Sequence, residues 1–401
     1  MKYVLILGDG MADEPIKELD GKTPIEEAKT PVIDALAKTA EVGSVNTIPE
    51  GMSPGSDVAN LSVAGYEPSI YYTGRSPLEA LSIGVDMKET DVSLRCNIVT
   101  LSEEDAISYK ERTIVDHSSG EITTEEADVL IKDLKKELER EGYQFYLGVS
   151  YRHLLVWDKG EVIDLVAPHD ILTKRIGDYL PKDEIFYEMM EKSYEILKDH
   201  PINKKRREKG LNPANSVWFW GAGKKPMLTS FEEKTGKKAA MISAVDLLKG
   251  IAVGAGMHSI DVEGATGGLH TNYEGKATAA VKVILEEGYD FVYVHVEAPD
   301  EMGHQGNLKH KIQAIEYLDE RIIKPIKESL DASGEDYRML ILPDHPTPIA
   351  LRTHTANPVP YLLYDSTKAL GNNEEYSEKV GMNSRAKIEK GHTLIEYLFE
   401  E

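Results

Sequence analysis

The stretch "FVYVHVEAPDEMGHQGN", residues 291–307, decides how this chain is read. Phe291 to Val296 is a β-branched and aromatic run broken only by one histidine. It is too short for a buried helix and suits a strand covered on both faces. Asp300 follows, and His304 stands four residues further on. A polar loop with an ordinary surface pair would explain one such acid and imidazole, because single spacings recur by chance. The pair gains meaning only if other strands end in the same way.

Two others do. Tyr3–Leu7 runs straight into Gly8-Asp9-Gly10, a sharp break at the end of a strand where open α/β sheets bind their ligands. In "RMLILPDHPTPIALRTHTANPVP" a strand over Met339–Leu342 ends in Asp344 and His345, and His354 follows nine residues later. Asp9 alone would be read as a helix cap, and either histidine alone as a hydrogen-bonded loop residue. Taken together they make an ordered set, in which clustering carries the signal.

The surrounding pattern predicts the scaffold. A further strand-like run covers Tyr361–Leu363, and helical periodicities cover Ile25–Ala40, Tyr273–Glu287 and Lys309 to about Leu330. Strands alternating with helices predict an α/β domain with a mostly parallel sheet covered on both sides.

The middle of the chain changes character. Long helical patterns, "TTEEADVLIKDLKKELER" and "PKDEIFYEMMEKSYEILKDH", flank the strand-like "LRCNIVTL" and "YRHLLVWDKGEVIDLVAP". This predicts a smaller α+β domain, residues 91–213, inserted into an α/β domain made of 1–90 and 214–401. The polar, basic "NKKRREKGLNPAN" (203–215) reads as the exit linker.

Composition narrows the function. With 41% hydrophobic and 29% charged residues among 401, the chain reads as an ordinary globular protein. No apolar run approaches the ~20 residues of a membrane span, and the opening "MKYVLILGDG" reads as a first strand rather than a leader. A formal charge of −23 argues against nucleic acid as a partner. The single cysteine, Cys96, leaves no internal disulfide and fits the cytoplasm. A chain this negative must gather local positive charge, through arginines or metal ions, to handle a negative substrate.

Three carboxylates and three imidazoles suit Mn²⁺ or Zn²⁺, with Mg²⁺ a further possibility; an all-oxygen set would favour Mg²⁺ or Ca²⁺. Six ligands with a serine suit two divalent ions that clamp the attacking and leaving oxygens of an in-line displacement. The serine comes from "EGMSPGSDVANLSVAGY", where Ser53 and Ser56 share a Gly/Pro-rich loop before a helix-like segment. Backbone N–H groups at such a helix start point toward an anion.

In the inserted domain Arg95 and Arg152 are candidates for bidentate contact with a phosphate or carboxylate. His153, His117, His169 and Asp170 are loop or strand-end candidates beside them. "GAGKKP" lacks the full pattern of a phosphate-binding loop, and Trp218 and Trp220 read as core.

These motifs, in this order, resemble the alkaline phosphatase superfamily: Asp9 in "LILGDG", Ser56 in "GSDVANL", "APDEMGH", "LPDH" and "THTANPVP". More closely, the chain is similar to cofactor-independent phosphoglycerate mutases of the compact archaeal type. "GRSPLEA", "YRHLL", "WFWGAGKKP" and "GATGG" extend the likeness over nearly the whole chain. The resemblance implies an alkaline phosphatase-like α/β domain and an inserted substrate-binding domain that closes over the site. It selects Ser56 as the nucleophile that becomes phosphoserine. It implies one metal held by Asp9, Asp344 and His345 beside Ser56, and another held by Asp300, His304 and His354. The substrate would be a small phosphorylated acid, 3-phosphoglycerate, turned into 2-phosphoglycerate without 2,3-bisphosphoglycerate.

Two departures keep alternatives open. Pro346 stands where many relatives carry Ser or Thr. The run "SDVANLSVAGYEPSIYYTGRSPLEA" also looks like a bacterial subgroup with a proposed homoserine kinase role. A phosphotransferase to homoserine or a phosphomonoesterase would use the same metal core. A non-catalytic metal-binding protein would have no use for Ser56. Oligomeric state is not legible in the sequence.

Overall fold

The computed structural model describes residues 1–104, 107–371 and 375–400. These divide into two compact units, one built from Met1–Tyr72 and the chain from Met227 onward, the other from Thr73–Pro226. The predicted insertion, 91–213, lies inside the second unit. That unit is longer at both ends because helix Arg75–Ser82 and strand Ser216–Lys224 pack against strand Val92–Leu101.

The first unit is built on an eight-stranded sheet. Strand Lys2–Gly8 lies at its centre, between Phe291–Val296 and Tyr337–Leu342, and pairs parallel with both. Beyond Phe291–Val296 come Ala239–Ile242 and His258–Ile260, also parallel. On the other side Val359–Asp365 runs antiparallel, followed by Glu41–Val45 and the short Lys387–Ile388. The three central strands are buried at nearly every position, which explains why they read as apolar runs rather than alternations.

Strand parity decides which helices each face meets. Val4, Ile6, Val292, Val294, Met339 and Ile341 pack into one core with helices Tyr273–Leu285 and Lys324–Ser333. On the opposite face the rings of Tyr3 and Phe291 stack with Phe231 and Phe399.

The register lines up the strand ends. Leu7 is level with His295 and with Leu342, so Asp9, the residues after Val296 and Asp344 all leave the sheet at one edge. Val359, where the antiparallel strand begins, is level with Val45, where a strand of the opposite direction ends. The loop bearing His354 and the loop bearing Ser56 therefore reach that same edge.

Two predicted helices turn out to be composite. The expected helix 25–40 is two, Pro24–Glu27 and Pro31–Ala37, because Pro31 cannot donate within a helix and biases the residue before it away from helical geometry. The expected helix 309–330 runs from Leu308 to Leu318, passes through a π-helical stretch, Asp319–Ile323, and continues as Lys324–Ser333. Its π turn carries Asp319, which accepts hydrogen bonds from the backbone N–H groups of Val32 and Ile33, at 3.2 and 2.7 Å. One helix interruption thus caps the start of the other.

The second unit is a five-stranded sheet in which Val92–Leu101 pairs antiparallel with Arg152–Trp157 and with Ser216–Lys224. Its core joins this sheet to helices Thr124–Leu138 and Glu184–Leu197. Among the described residues, no helix is long and apolar enough to cross a membrane.

Candidate active site

All seven residues predicted for metal binding and nucleophilic attack lie in the first unit, at the edge where its strand ends align. Asp9 and Asp300 are 2% and 5% exposed, and Asp344 and His345 are fully buried. The His345 Nε2 atom is 3.0 Å from Ser56 Oγ, 3.4 Å from Asp344 Oδ2 and 3.5 Å from Asp9 Oδ1. Ser56 is the first residue of helix Ser56–Val63, so its side chain sits beside the open backbone N–H groups of the first turn.

The second cluster rests on a helix that the sequence reading treated as a loop. Residues Ala298–His304 are helical, so the four-residue spacing puts Asp300 and His304 on one face. Asp300 Oδ2 lies 3.2 Å from His304 Nε2 and its Oδ1 lies 3.4 Å from His354 Nε2. The two imidazole Nε2 atoms are 2.9 Å apart. His304 Nδ1 is 3.0 Å from the Arg352 carbonyl oxygen, which can only accept, so Nδ1 carries a proton and Nε2 is the atom turned to Asp300.

The charges in this cluster are unbalanced without a cation. Burial pushes the Asp9 carboxyl well above its usual range, and the carboxylates of Asp344 and Asp300 push it the same way. Burial acts on Asp300 in the same sense, but hydrogen bonds from His304 and His354 outweigh it and hold that carboxyl well below its usual range. The hydrogen bond to Asp300 in turn raises His304 to about 9. Burial lowers His345, which favours the neutral imidazole that a metal requires.

The donor set fits divalent cations. Asp9 Oδ1 is buried and finds no hydrogen-bond partner among the described residues. Asp300, His304 and His354 form one group of ligand atoms all within 4.8 Å of one another, and Asp9, Asp300 and His345 form a second. Asp300 belongs to both groups, whereas the resemblance pairs it only with His304 and His354. Gly10 makes this closeness possible. Its φ is +57°, and a Cβ there would stand 2.4 Å from Asp300 Oδ1.

Several residues that hold the cluster went unnoticed in the sequence. Thr347 Oγ1 donates to Asp300 Oδ1 at 2.5 Å. Asn60 Nδ2 donates to Asp344 Oδ2 and to the Ser56 carbonyl oxygen, both at 2.8 Å. His295 Nε2 is 2.8 Å from Asp9 Oδ2, and burial first, then nearby Lys276, keeps its imidazole well below the usual range and neutral. The available signal was a histidine inside an otherwise apolar strand.

The candidates of the second unit separate by strand parity. Asn97 faces Arg152 and Arg95 faces Leu154 across the antiparallel pair, so these four share one side and His153 points to the other. His153 is 1% exposed, its Nδ1 accepts from the Gly148 N–H at 3.1 Å, and burial lowers it to about 4. Adjacent strand residues cannot both face outward, and here the outward one is Arg152. Arg95 is 6% exposed, paired with Glu79 at 3.0 Å, and lies 4.2 Å over the Trp220 ring. Trp220, read from sequence as core, is half-buried and donates to Asn97 Oδ1 at 3.0 Å.

His169 meets the Trp220 ring edge-on at 5.1 Å and the His117 ring at 6.0 Å. The Arg95, Trp220, His169 and His117 side chains thus form one continuous row. Burial lowers the His169 pKa. Asp170, 3.8 Å from His169 Nε2, is largely in solvent.

The chain is similar to known proteins along its whole length. Residues 37–203 match the family model described as 2,3-bisphosphoglycerate-independent phosphoglycerate mutase. A curated protein of that name from Methanosarcina acetivorans is 47% identical over 401 residues, covering 98% of each chain. The structure of a protein from Pyrococcus horikoshii superposes with a TM-score of 0.83 at 31% identity, over 99% of this chain and 96% of that one. A cofactor-independent phosphoglycerate mutase from Thermoplasma acidophilum superposes with a TM-score of 0.65 at 26% identity, over 100% and 99% of the two chains. Near-half identity along the full length, on a fold that lines up these strand ends, places the chain in the 2,3-bisphosphoglycerate-independent phosphoglycerate mutase family.

Proposed function

We propose that the chain interconverts 3-phosphoglycerate and 2-phosphoglycerate through a phosphoserine on Ser56. The observation that carries this reading is the single nitrogen, His345 Nε2, within 3.5 Å of Ser56 Oγ, Asp344 Oδ2 and Asp9 Oδ1. A hydroxyl set among metal-binding groups at a helix start serves attack on phosphorus better than it serves storage of a metal.

Asp9, Asp344 and His345 would hold one divalent ion, and Asp300, His304 and His354 the other. Mn²⁺ or Zn²⁺ is favoured by the mixed donors, and Mg²⁺ is the harder-ligand alternative. Such ions, when bound, lower the pKa of a neighbouring hydroxyl and neutralise charge on a phosphoryl group.

Ser56 Oγ forms a bond to phosphorus as the bond from phosphorus to the O3 of 3-phosphoglycerate breaks. The Ser56 hydroxyl gives up its proton, and the departing oxygen takes one up, leaving free glycerate. The O2 hydroxyl of the same glycerate then loses its proton and attacks the phosphoserine, and the freed Ser56 oxygen is protonated again. Atoms balance over the two displacements, and no second phosphorylated cofactor is consumed. Water must stay out between them, or the product is inorganic phosphate.

Recognition of the glycerate carboxylate is assigned to the second unit, with Arg152, Arg95, His117 and His169 as its candidates and Asp170 as an acceptor for a substrate hydroxyl. A cytoplasmic setting is assigned with it, on the reading that a chain with a single, buried cysteine relies on no disulfide.

A coupled assay with 3-phosphoglycerate and no added bisphosphoglycerate tests the proposal, combined with mass spectrometry of the acid-quenched enzyme. A phosphoryl group on Ser56 with net formation of 2-phosphoglycerate is the expected result. Phosphorylation of homoserine by ATP without mutase turnover, or phosphate release alone, would replace this reading.

A further inference from the structure

The metal groups are held from behind by different elements. Strand Phe291–Val296 brings Tyr293 and His295, two residues apart, to one side of the sheet. That side carries helix Ser56–Val63 rather than the apolar core of Val292, Val294 and Val296. Both side chains are fully buried; His295 contacts Asp9 directly, and Tyr293 reaches Asp344 through Asn60.

Tyr293 donates its hydroxyl to Asn60 Oδ1 at 2.5 Å. This fixes the Asn60 amide with its NH₂ turned to Asp344 Oδ2 and the Ser56 carbonyl oxygen. With the Tyr293 hydroxyl removed, Asn60 Oδ1 is left buried without that donor, and the amide that holds Asp344 is less firmly aimed.

His295 acts on the other acid. Its Nδ1 lies 3.1 Å from Ser243 Oγ, and that oxygen already accepts from the Val245 N–H at 3.0 Å. A metal-holding Asp9 is ionised and can only accept, so the proton of the neutral His295 ring lies on Nε2, facing Asp9 Oδ2, and Nδ1 accepts from the Ser243 hydroxyl. Asp9 keeps its second oxygen, Oδ1, without a hydrogen-bond partner among the described residues and turned toward His345. Among the described residues, no hydrogen bond joins this strand to the side chains of Asp300, His304 or His354; Thr347 and the Arg352 carbonyl hold two of them.

We propose that Tyr293 and His295 are positioning residues for one metal position only, the one beside Ser56. They set its affinity by aiming Asp344 and Asp9, and leave the Asp300–His304–His354 position untouched. The inference rests on the metal reading given above.

The test uses the full chain stripped of metal and titrated with Mn²⁺, with the free ion followed by its electron paramagnetic resonance signal. Wild type should bind two ions, and Asp9→Asn should lose one of them. Tyr293→Phe and His295→Leu should weaken one ion about 10–100-fold and leave the other unchanged. His295→Gln, whose amide N–H can still donate to Asp9, should keep most of the affinity. If Tyr293→Phe and His295→Leu leave both affinities intact, or weaken both ions alike, the proposal is overturned. An Asp9→Asn protein that still binds two ions would instead remove the metal assignment itself, and the proposal with it. Tyr293→Phe deletes one oxygen atom, so it decides the matter even if His295→Leu does not fold.

Discussion

Lys311 Nζ stands 2.8 Å from Asp13 Oδ2, in an ion pair whose side chains are 0% and 1% exposed. The same ammonium donates to the carbonyl oxygens of Thr347, at 2.8 Å, and Ala12, at 3.2 Å. One buried lysine thereby ties the loop after the first strand to the loop after Tyr337–Leu342, close behind the residues that hold Asp300.

Removing that charge should be costly. Lys311→Met leaves Asp13 buried without its counter-charge, a loss of about 3–5 kcal/mol. Urea unfolding of the metal-free protein measures it directly. A loss below about 1 kcal/mol would mean that the two loops do not depend on this pair.

The nucleophile assignment gives a sharper outcome. Ser56→Ala should lose mutase activity by several orders of magnitude while the fold stays intact and most metal binding remains. Ser53→Ala, in the same loop, should stay active. The reverse pattern in the coupled assay would transfer the role to Ser53.

Chelation should inactivate the enzyme, and Mn²⁺ should restore it better than Ca²⁺, because the site mixes imidazole with carboxylate. Activity should also fall on acidification, as protons compete with the metal for the ligand histidines. Elemental analysis alongside the assay checks this. Full turnover by protein containing no divalent metal would refute metal dependence.

Asp319 supplies a pH dependence away from the site. Burial raises its carboxyl to about 6, against the opposing hydrogen bonds from Ile33 and Val32. A carboxyl whose folded pKa lies above its unfolded value binds its proton more tightly when folded. Its contribution to stability is fully present below about pH 4 and is lost as the pH rises through about 6. Asp319→Asn should therefore flatten the stability profile between those limits. Thermal unfolding across that range compares the slopes; identical slopes would show that the carboxyl does not titrate there.

The sequence by itself determined the sheet's central strands and the acids at their ends. These are local patterns: a strand buried on both faces must be a short apolar run, and an acid just beyond it stands at the sheet edge. The motif order then identified the family, because each motif is contiguous along the chain.

Tertiary structure alone decided how those residues share the site. Asp300 joins both ligand groups because Gly10, far away in the chain, leaves room for its carboxylate. His295 reaches Asp9 across a sequence separation of 286, and Asn60 reaches Asp344 across 284, so no local spacing announces either contact. Helix Ala298–His304 could not be told from a loop, because a single polar turn has no periodicity to read. Hydrogen-bond partners and shared ligands depend on which elements the sheet order makes neighbours. That order is set by burial summed over the whole chain, not by any one stretch of it.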